Sequence, residues 1–138
     1  MPYLIDSDWV IDHLADLDEA TQLLSSLAEE GIAISVITYM EAFQGVERSS
    51  NPQEAQAKLD AFLEGVPVVP FSLAVARRCA VLRETLRTRG RRVNSRALDL
   101  LNAATALEYD LTLVTRNIED YRDIPDLKIY EIATYPYG

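Results

Sequence analysis

The chain has 138 residues, 49% of them hydrophobic, and a formal net charge of −9, which fits one domain over residues 1–138 with a buried core. One cysteine, one histidine and no apolar run near the roughly 18 residues that span a bilayer argue against a disulfide framework, a cysteine-rich zinc site, a Ser-His-Asp triad and a transmembrane helix. No basic segment followed by an apolar one opens the chain, so we expect a cytoplasmic protein without a signal peptide.

Short β-branched segments alternate with amphipathic segments along the chain. In the first half this pattern predicts a strand at 2–6, helices at 8–16 and 18–31, a strand at 32–36, and helices at 37–49 and 51–65. In the second half it predicts a strand at 66–70, helices at 72–89 and 95–110, and strands at 111–115 and 127–132. This order is typical of a parallel sheet that is covered by helices on both faces.

Acids and amides follow three of the predicted strands. Asp6 ends the first strand, and Glu41 lies five residues past the second. Asn117 and Asp120 follow the strand LTLVT. Because sites in open parallel sheets form beyond the carboxyl ends of the strands, we expect these side chains to meet at one edge. Taken singly, each has a simpler interpretation, since Asp6 could cap the first helix and Glu41 could lie on a solvated helix face.

Asp99 lies on a predicted helix that is apolar almost all round. Arg96, Asp99 and Asn102, spaced by three residues, form its only polar stripe. Such a helix is buried, and a buried carboxylate is costly unless it is paired or bound to a cation. One interpretation is a buried Arg96–Asp99 ion pair. We favour the other, a metal ligand that faces Asp6, because Mg²⁺ or Mn²⁺ removes the repulsion within a cluster of acids.

Four stretches resemble the PIN-domain ribonucleases, specifically the VapC-type toxins of type II toxin–antitoxin systems. They are YLIDSDWVIDHL, ISVITYMEAFQGVERS, LRTRGRRVNSRALDLLNAATAL and LTLVTRNIEDYRDIPDLKI. The resemblance implies a PIN-like three-layer α/β/α sandwich with a central, mainly parallel sheet of four to five strands. It also implies a metal-dependent endoribonuclease that is the toxin of a VapBC-type pair, forms a homodimer and binds a VapB-like antitoxin.

The resemblance also assigns site residues. Three acids match the family's catalytic cluster and would hold Mg²⁺ or Mn²⁺: Asp6, Glu41 and Asp99. A fourth catalytic position falls on Asp120 or Asn117.

Three further residues are expected to support the acids rather than to hold the cation. Thr115 resembles the hydroxyl residue that orients the first aspartate of the family. Asp8 stands where the family commonly has asparagine, and it fits a helix cap or a supporting group. Asn102 stands where an apolar residue is usual. These two departures put metal affinity and substrate preference in doubt, and they remove no expected ligand.

The net negative charge conceals a basic segment. Eight of the 13 lysines and arginines lie between positions 77 and 96: Arg77, Arg78, Arg83, Arg87, Arg89, Arg91, Arg92 and Arg96. We predict that five of these hold the RNA backbone, because phosphate contacts give affinity without sequence information: Arg87, Arg89, Arg91, Arg92 and Arg96. A solvated helix face and a dock for an acidic antitoxin tail are the alternatives.

Two other functions are considered. A haloacid-dehalogenase-like phosphatase would use Asp6 as nucleophile and Asp8 as acid and base, but the only lysines, Lys58 and Lys128, lie in no suitable phosphate-binding loop. A catalytically weak PIN-fold binding protein is the second alternative, and the intact set of acids argues against it. A metal-dependent RNA cleavage assay separates the three.

Overall fold

Four short strands form a parallel sheet in the computed structural model, which describes residues 2–132. They are β1 (Tyr3–Ile5), β2 (Ile32–Ser35), β3 (Val68–Val69) and β4 (Thr112–Val114). The strand order is β3-β2-β1-β4, and every neighbouring pair is parallel. The predicted α/β class with a central parallel sheet is therefore confirmed.

Six α-helices in residues 2–132 connect and cover these strands. They are α1 (Ser7–Leu14), α2 (Asp18–Ala28), α3 (Val36–Arg48), α4 (Pro52–Leu63), α5 (Leu73–Thr88) and α6 (Ala97–Glu108). Polar side chains cap several of them: Asp6 accepts from the Ser7 N–H at the start of α1, and Ser35 accepts from the Thr38 N–H at the start of α3. No helix in the described part of the chain is long and apolar enough to cross a membrane.

Side chains of the strands alternate between two hydrophobic clusters, one on each face of the sheet. Ile5 and Val114 pack with the buried residues of α1 to α4 on one face. Leu4 and Leu113 pack with those of α5 and α6 on the other. The two clusters give the three layers of the sandwich, and they bury both faces of every central strand.

The strand order brings the carboxyl ends of β1 and β4 side by side. From β1 the chain proceeds to β2 and β3 on one side, and it later returns to place β4 on the other side of β1. Ligand sites in such sheets lie beyond the strand ends at which the order reverses. Here those ends lead directly into Asp6 and Thr115. The Asp6 N–H donates to the Val114 carbonyl at 2.9 Å, which ties the two ends together.

Two predicted strands are shorter than expected. The strand predicted at 66–70 keeps only Val68–Val69, because Pro67 and Pro70 have no N–H for the ladder. The segment predicted as a strand at 127–132 makes a single parallel bridge, between Leu113 and Ile129. It therefore lies beside β4 as a partial fifth strand, held by hydrogen bonds of Leu113 with Lys128 and Tyr130, each of 2.8 Å.

Candidate active site

Asp6 lies at the centre of a buried hydrogen-bond network. The residue follows β1 and is 6% exposed. Its Oδ1 accepts from the Ser7 N–H at 2.8 Å and from the Asn102 amide at 3.2 Å. Its Oδ2 accepts from the Thr115 hydroxyl at 2.7 Å. All of these partners are neutral, so the carboxylate is held in place while its negative charge is left unbalanced.

Asn102 links α6 to the ends of two strands. Its Oδ1 accepts from the Ser35 hydroxyl at 2.6 Å, and its Nδ2 donates to Asp6. Ser35 ends β2, so the amide bridges the end of β2 and the end of β1. The Asp6 carboxylate can only accept, so the NH₂ group of Asn102 faces it and the amide oxygen faces the Ser35 hydroxyl, which donates.

Asp99 lies one helical turn before Asn102 and meets a tyrosine. The Tyr121 hydroxyl donates to Asp99 Oδ1 at 3.1 Å and lies 3.4 Å from Asp6 Oδ2. Burial raises the pKa of Tyr121 far above its ordinary value, and the charges of Asp6 and Asp99 raise it further, so the hydroxyl keeps its proton. Burial also raises the pKa of Asp99, with a further contribution from the charge of Asp6.

Glu41 approaches the same point from α3. Burial raises the pKa of the half-buried Glu41 carboxyl, and the charges of Asp6, Asp99 and Asp8 raise it further, while the Ser7 hydroxyl acts in the opposite direction. The acids predicted from separate segments of the sequence therefore face one another across the end of the sheet. Within residues 2–132, none of Asp6, Glu41 and Asp99 forms an ion pair with a lysine or arginine (the ion pairs of the fold lie elsewhere).

Asp8 and Asn117 form the outer flank of this group. Asp8 Oδ1 accepts from the Trp9 N–H at 2.8 Å, and the Asn117 amide lies 3.4 Å from Asp8 Oδ2. The Asn117 N–H also donates to the Thr115 hydroxyl at 3.0 Å. Burial and the charge of Asp6 raise the pKa of Asp8. Asn117 therefore contacts the residues beside Asp6 rather than Asp6 itself.

Asp120 lies on the flank of Asp99. The charge of Asp120 contributes to the raised pKa of Asp99, and the Asp120 carboxylate is 3.2 Å from the Arg92 guanidinium. Of the two residues predicted for the fourth position, Asp120 therefore lies beside Asp99 and Asn117 beside Asp8. The short 3₁₀ turn Ile118–Asp120, which the sequence pattern did not predict, separates them.

The donor set suits a hard cation in its chemistry. Carboxylate oxygens are the ligands that Mg²⁺ and Mn²⁺ prefer. Here Asp6 is buried, Glu41 and Asp99 are half-buried, and the three repel one another without a positively charged partner within residues 2–132. Among residues 2–132, however, no three His, Cys, Asp or Glu side chains are already gathered closely enough to hold a metal ion. In type and charge, the three acids fit a cation that prefers oxygen ligands. Their side chains must move closer together to bind one ion.

Arg96 differs from both predictions made for it. Its guanidinium forms two hydrogen bonds with the Asp123 carboxylate, at 2.7 and 2.8 Å, so the alternative interpretation of an Arg96–Asp99 ion pair is wrong. The Arg96 side chain is 3% exposed, so the expected contact between Arg96 and RNA is wrong as well. The two charge-assisted bonds hold the pKa of Asp123 below its usual range. A buried guanidinium with a carboxylate partner has no surface left to offer a phosphate.

Arg96 also holds the chain segment that carries Asp120. Its Nε donates to the Arg92 carbonyl at 2.7 Å, and its Nη1 donates to the Asp120 carbonyl at 2.9 Å. Together with the Asp123 contacts, these bonds fasten residues 120–123 to the start of α6. We refer to Arg96, Asp123 and the two carbonyls as the Arg96 clamp.

Of the remaining arginines of the basic segment, Arg83 is partly buried and donates to the Asn94 side-chain oxygen at 3.1 Å, and the others are exposed. The exposed ones include two groups that differ in whether the guanidinium is paired. Arg78, Arg87 and Arg92 form ion pairs with Glu108, Glu84 and Asp120, respectively. Arg89 and Arg91 are exposed and form no ion pair within residues 2–132. The latter two therefore have guanidinium groups available for an anion.

A cavity of about 530 Å³ adjoins the Arg96 clamp and combines residues from two distant segments. It is lined by Gly90, Arg91, Arg92, Arg96, Glu119, Arg122 and Asp123. Arg122 was not predicted as part of the basic surface, because it lies outside the segment in which the other arginines are concentrated.

Three residues of the site were missed at the sequence level. They are Ser35, Tyr121 and Asp123. Tyr121 directly follows Asp120, and Ser35 ends the strand IAIS, so their positions beside predicted site residues were the available signals. Asp123 had a weaker signal, because only the fold brings it to Arg96.

The chain is similar to known proteins along most of its length. The family model of the PIN domain matches residues 3–127. Ribonuclease VapC2 of Rickettsia felis is 36% identical over 96 residues, which are 70% of this chain and 70% of that protein. Ribonuclease VapC19 of Mycobacterium tuberculosis is 32% identical over 127 residues, 91% of this chain and 96% of that protein. A crystal structure of VapBC2 from Rickettsia felis, bound to a DNA fragment from their promoter, matches with a TM-score of 0.85 at 30% identity and covers 96% of this chain and 100% of that one.

Proposed function

The chain belongs to the PIN domain family, and we propose that it is a metal-dependent endoribonuclease that acts as the toxin of a VapBC-type pair. The observation that carries the proposal is the group formed by Asp6, Glu41 and Asp99, buried or half-buried at the reversal point of the sheet without a positively charged partner in residues 2–132. Relatives named as VapC ribonucleases support the activity.

The chain's own residues have defined tasks in this reaction. Asp6, Glu41 and Asp99 would hold Mg²⁺ or Mn²⁺, which supplies Lewis acidity for the attack of water on the phosphorus of an RNA phosphodiester. Thr115 and Asn102 fix both oxygens of Asp6, so that this carboxylate is oriented before the ion arrives. Asp120 lies beside Asp99 and extends the negative charge towards the Arg91 and Arg92 cavity.

No side-chain nucleophile is required. His13 contacts Thr21 and Phe62, and Cys79 is buried in the core, where burial raises the pKa of its thiol. Neither residue lies among the acids in the described part of the chain. The positions of these two residues favour direct attack by water over a covalent intermediate on cysteine or histidine.

The phosphatase alternative gains no support from the lysines. Lys58 pairs with Asp16 at 2.7 Å, and Lys128 pairs with Asp110 at 2.6 Å. Neither ammonium group lies beside Asp6 to bind a phosphomonoester.

We also propose that the protein forms a homodimer, binds a VapB-like antitoxin and contacts RNA through its exposed arginines. The solved complex of VapBC2 from Rickettsia felis supports the antitoxin partner. Light scattering at micromolar concentration tests the dimer, and a strict monomer would count against it.

The activity is tested by incubating purified protein with RNA in Mg²⁺, in Mn²⁺ and in EDTA. We expect cleavage only with the ions, and loss of cleavage in Asp6→Asn and Asp99→Asn. Asp60→Asn is the matched control, because it removes an equal charge from an exposed carboxylate on α4 that contacts Gln56. Cleavage that persists in EDTA, or hydrolysis of small phosphomonoesters in place of RNA, would refute the proposal.

A further inference from the structure

We propose that Tyr121 is a positioning residue that orients Asp99 and sets its spacing from Asp6, so that the two carboxylates can share one cation. The inference rests on the proposed function, because it assigns Tyr121 a task at the same site. It concerns a tyrosine that touches no substrate and acts only through the acids.

The hydroxyl of Tyr121 lies between the two carboxylates. It is 3.1 Å from Asp99 Oδ1 and 3.4 Å from Asp6 Oδ2. A phenol has one proton to donate, and the shorter distance directs that proton to Asp99. Because the contact is with Oδ1, the other oxygen of Asp99 stays available as a ligand. The hydroxyl thus restrains one end of the carboxylate without neutralising its charge.

Asn102 completes this arrangement from the other side. Its NH₂ group donates to Asp6 Oδ1 at 3.2 Å, whereas the Tyr121 hydroxyl lies 3.4 Å from Asp6 Oδ2 and donates to Asp99. Asn102 therefore restrains Asp6 on one oxygen, and the tyrosine joins its other oxygen to Asp99. The two carboxylates are linked by a chain of neutral groups, and these groups fix their relative position in the absence of any ion.

The ring of Tyr121 cannot easily turn away. The side chain is 1% exposed and packs in the cluster beneath α5 and α6. The Arg96 clamp fixes the chain on both sides of it, through the Asp120 carbonyl and the Asp123 carboxylate. The Ile124 N–H also donates to the Tyr121 carbonyl at 3.1 Å. The packing of the ring and these hydrogen bonds therefore hold the hydroxyl in position beside Asp99.

This geometry resembles the outer hydrogen bonds that orient ligands in metal sites. Removal of such a partner typically weakens metal affinity or activity by about 10–100-fold. Phenylalanine keeps the ring and its packing and removes only the hydroxyl. Tyr121→Phe is therefore expected to weaken Mn²⁺ binding about 10-fold or more, with a matching loss of kcat for RNA cleavage and an unchanged KM.

The experiment is titration calorimetry of the full chain with Mn²⁺, for the parent, Tyr121→Phe and Tyr3→Phe. Tyr3→Phe is the matched control, because its hydroxyl also contacts a carboxylate, Glu30, at 2.7 Å, on the exposed surface. We expect Tyr3→Phe to bind Mn²⁺ as the parent does. Thermal melting in EDTA verifies that each variant is folded before the comparison is made.

A double-mutant cycle with Asp99→Glu, which keeps the carboxylate but moves it relative to the tyrosine hydroxyl, separates positioning from general damage to the fold. If Tyr121 acts through Asp99, Tyr121→Phe should weaken Mn²⁺ binding far less in the Asp99→Glu background than in the parent. An equal loss in both backgrounds would overturn the inference, and so would unchanged or tighter Mn²⁺ binding by Tyr121→Phe.

The outcomes also distinguish this inference from the proposed function. A parent that binds Mn²⁺ with the expected loss in Tyr121→Phe, but cleaves no RNA, would leave the inference intact and refute the function. A parent that cleaves RNA with Mg²⁺ but binds Mn²⁺ no more tightly than Tyr121→Phe would support the function and refute the inference. A parent that binds no Mn²⁺ overturns the inference whatever its activity.

Discussion

Two groups of charged side chains lie close together under the same end of the sheet. One group has its charges paired within the fold, and the other does not. In the Arg96 clamp, a guanidinium donates to a carboxylate at 2.7 and 2.8 Å and also donates to two backbone carbonyls. In the acid group of Asp6, Glu41 and Asp99, the partners are hydroxyls, amides and backbone N–H groups.

The difference shows that this fold can supply an internal counter-charge and does not supply one to the acids. Arg96 lies three residues before Asp99 on the polar stripe of α6, so a pairing with Asp99 was within reach of the chain. The guanidinium is turned instead to Asp123. Burial then raises the pKa of Asp99 and Glu41 and lowers their preference for the charged state, which an external cation would restore.

The largest effect on stability is expected from breaking the clamp. Asp123→Asn leaves the Arg96 guanidinium buried without its carboxylate, which should lower the free energy of unfolding by about 3 kcal/mol. Urea denaturation in EDTA measures the change. Glu119→Gln is the control, because it removes an exposed ion pair with Arg122 and should have no measurable effect. Equal stability of Asp123→Asn and Glu119→Gln would mean that the clamp is energetically unimportant.

The pH dependence of stability should have opposite signs in the two groups. Burial raises the pKa of Glu41 and Asp99, so their contribution to the stability of the metal-free protein is greatest below the ordinary carboxyl pKa and is lost as the pH rises through the raised values. The pKa of Asp123 is lowered, so its contribution is present above the ordinary value and is lost as the pH falls through the lowered one.

Melting temperatures in EDTA between about pH 5 and 7 test this contrast. The advantage of a Glu41→Gln, Asp99→Asn double variant over the parent should grow as the pH rises, because the parent's acids become charged and repel. The deficit of Asp123→Asn should shrink only at lower pH, near or below the ordinary carboxyl pKa of about 4. A constant difference between the double variant and the parent across this range would contradict the assignment.

The smallest effect is expected from the exposed arginines and concerns RNA binding. Here too, arginines with and without an ion-pair partner can be compared. Replacing Arg89 and Arg91 by glutamine should weaken RNA binding and reduce the slope of log affinity against log salt by roughly 1 to 2. Arg87→Gln is the comparison, because Glu84 already holds that guanidinium. Filter binding across a salt series measures the slopes. A slope that is unchanged by the double replacement would mean that this surface faces something other than RNA.

The sequence predicted the fold well because its strands are short apolar runs bounded by Asp6, Gly31 and the prolines beside β3, and these signals are local. The boundaries of helices were less certain where a capping residue decides them. The first helix was predicted to begin at residue 8, and it begins at Ser7 because Asp6 caps it. The residues of 127–132 predict a strand, and the structure keeps only one bridge of it, between Leu113 and Ile129.

The site was predictable where residues follow strand ends and was not where distant segments pair. Asp6, Glu41 and Asp120 could be located from their position after strands, because the topology brings those ends to one edge. The partner of Arg96 could not be located, since Asp99 and Asp123 are both acids within plausible reach and the choice depends on three-dimensional packing. Tyr121 was missed for the same reason, because only the folded structure brings its hydroxyl within hydrogen-bond distance of Asp99.

The central claim is that Asp6 and Asp99 share a cation that balances their charge, and thermal melting with and without Mn²⁺ tests it most directly. The parent and the control Asp60→Asn should melt at a higher temperature with Mn²⁺, since an ion at 100 times its Kd stabilises the fold by about 2.7 kcal/mol. Asp6→Asn and Asp99→Asn should lose this rise while melting in EDTA at or above the parent, because each removes one of a set of repelling charges. A parent that gains no stability from Mn²⁺, or an Asp99→Asn variant that gains as much as the parent, would contradict the claim.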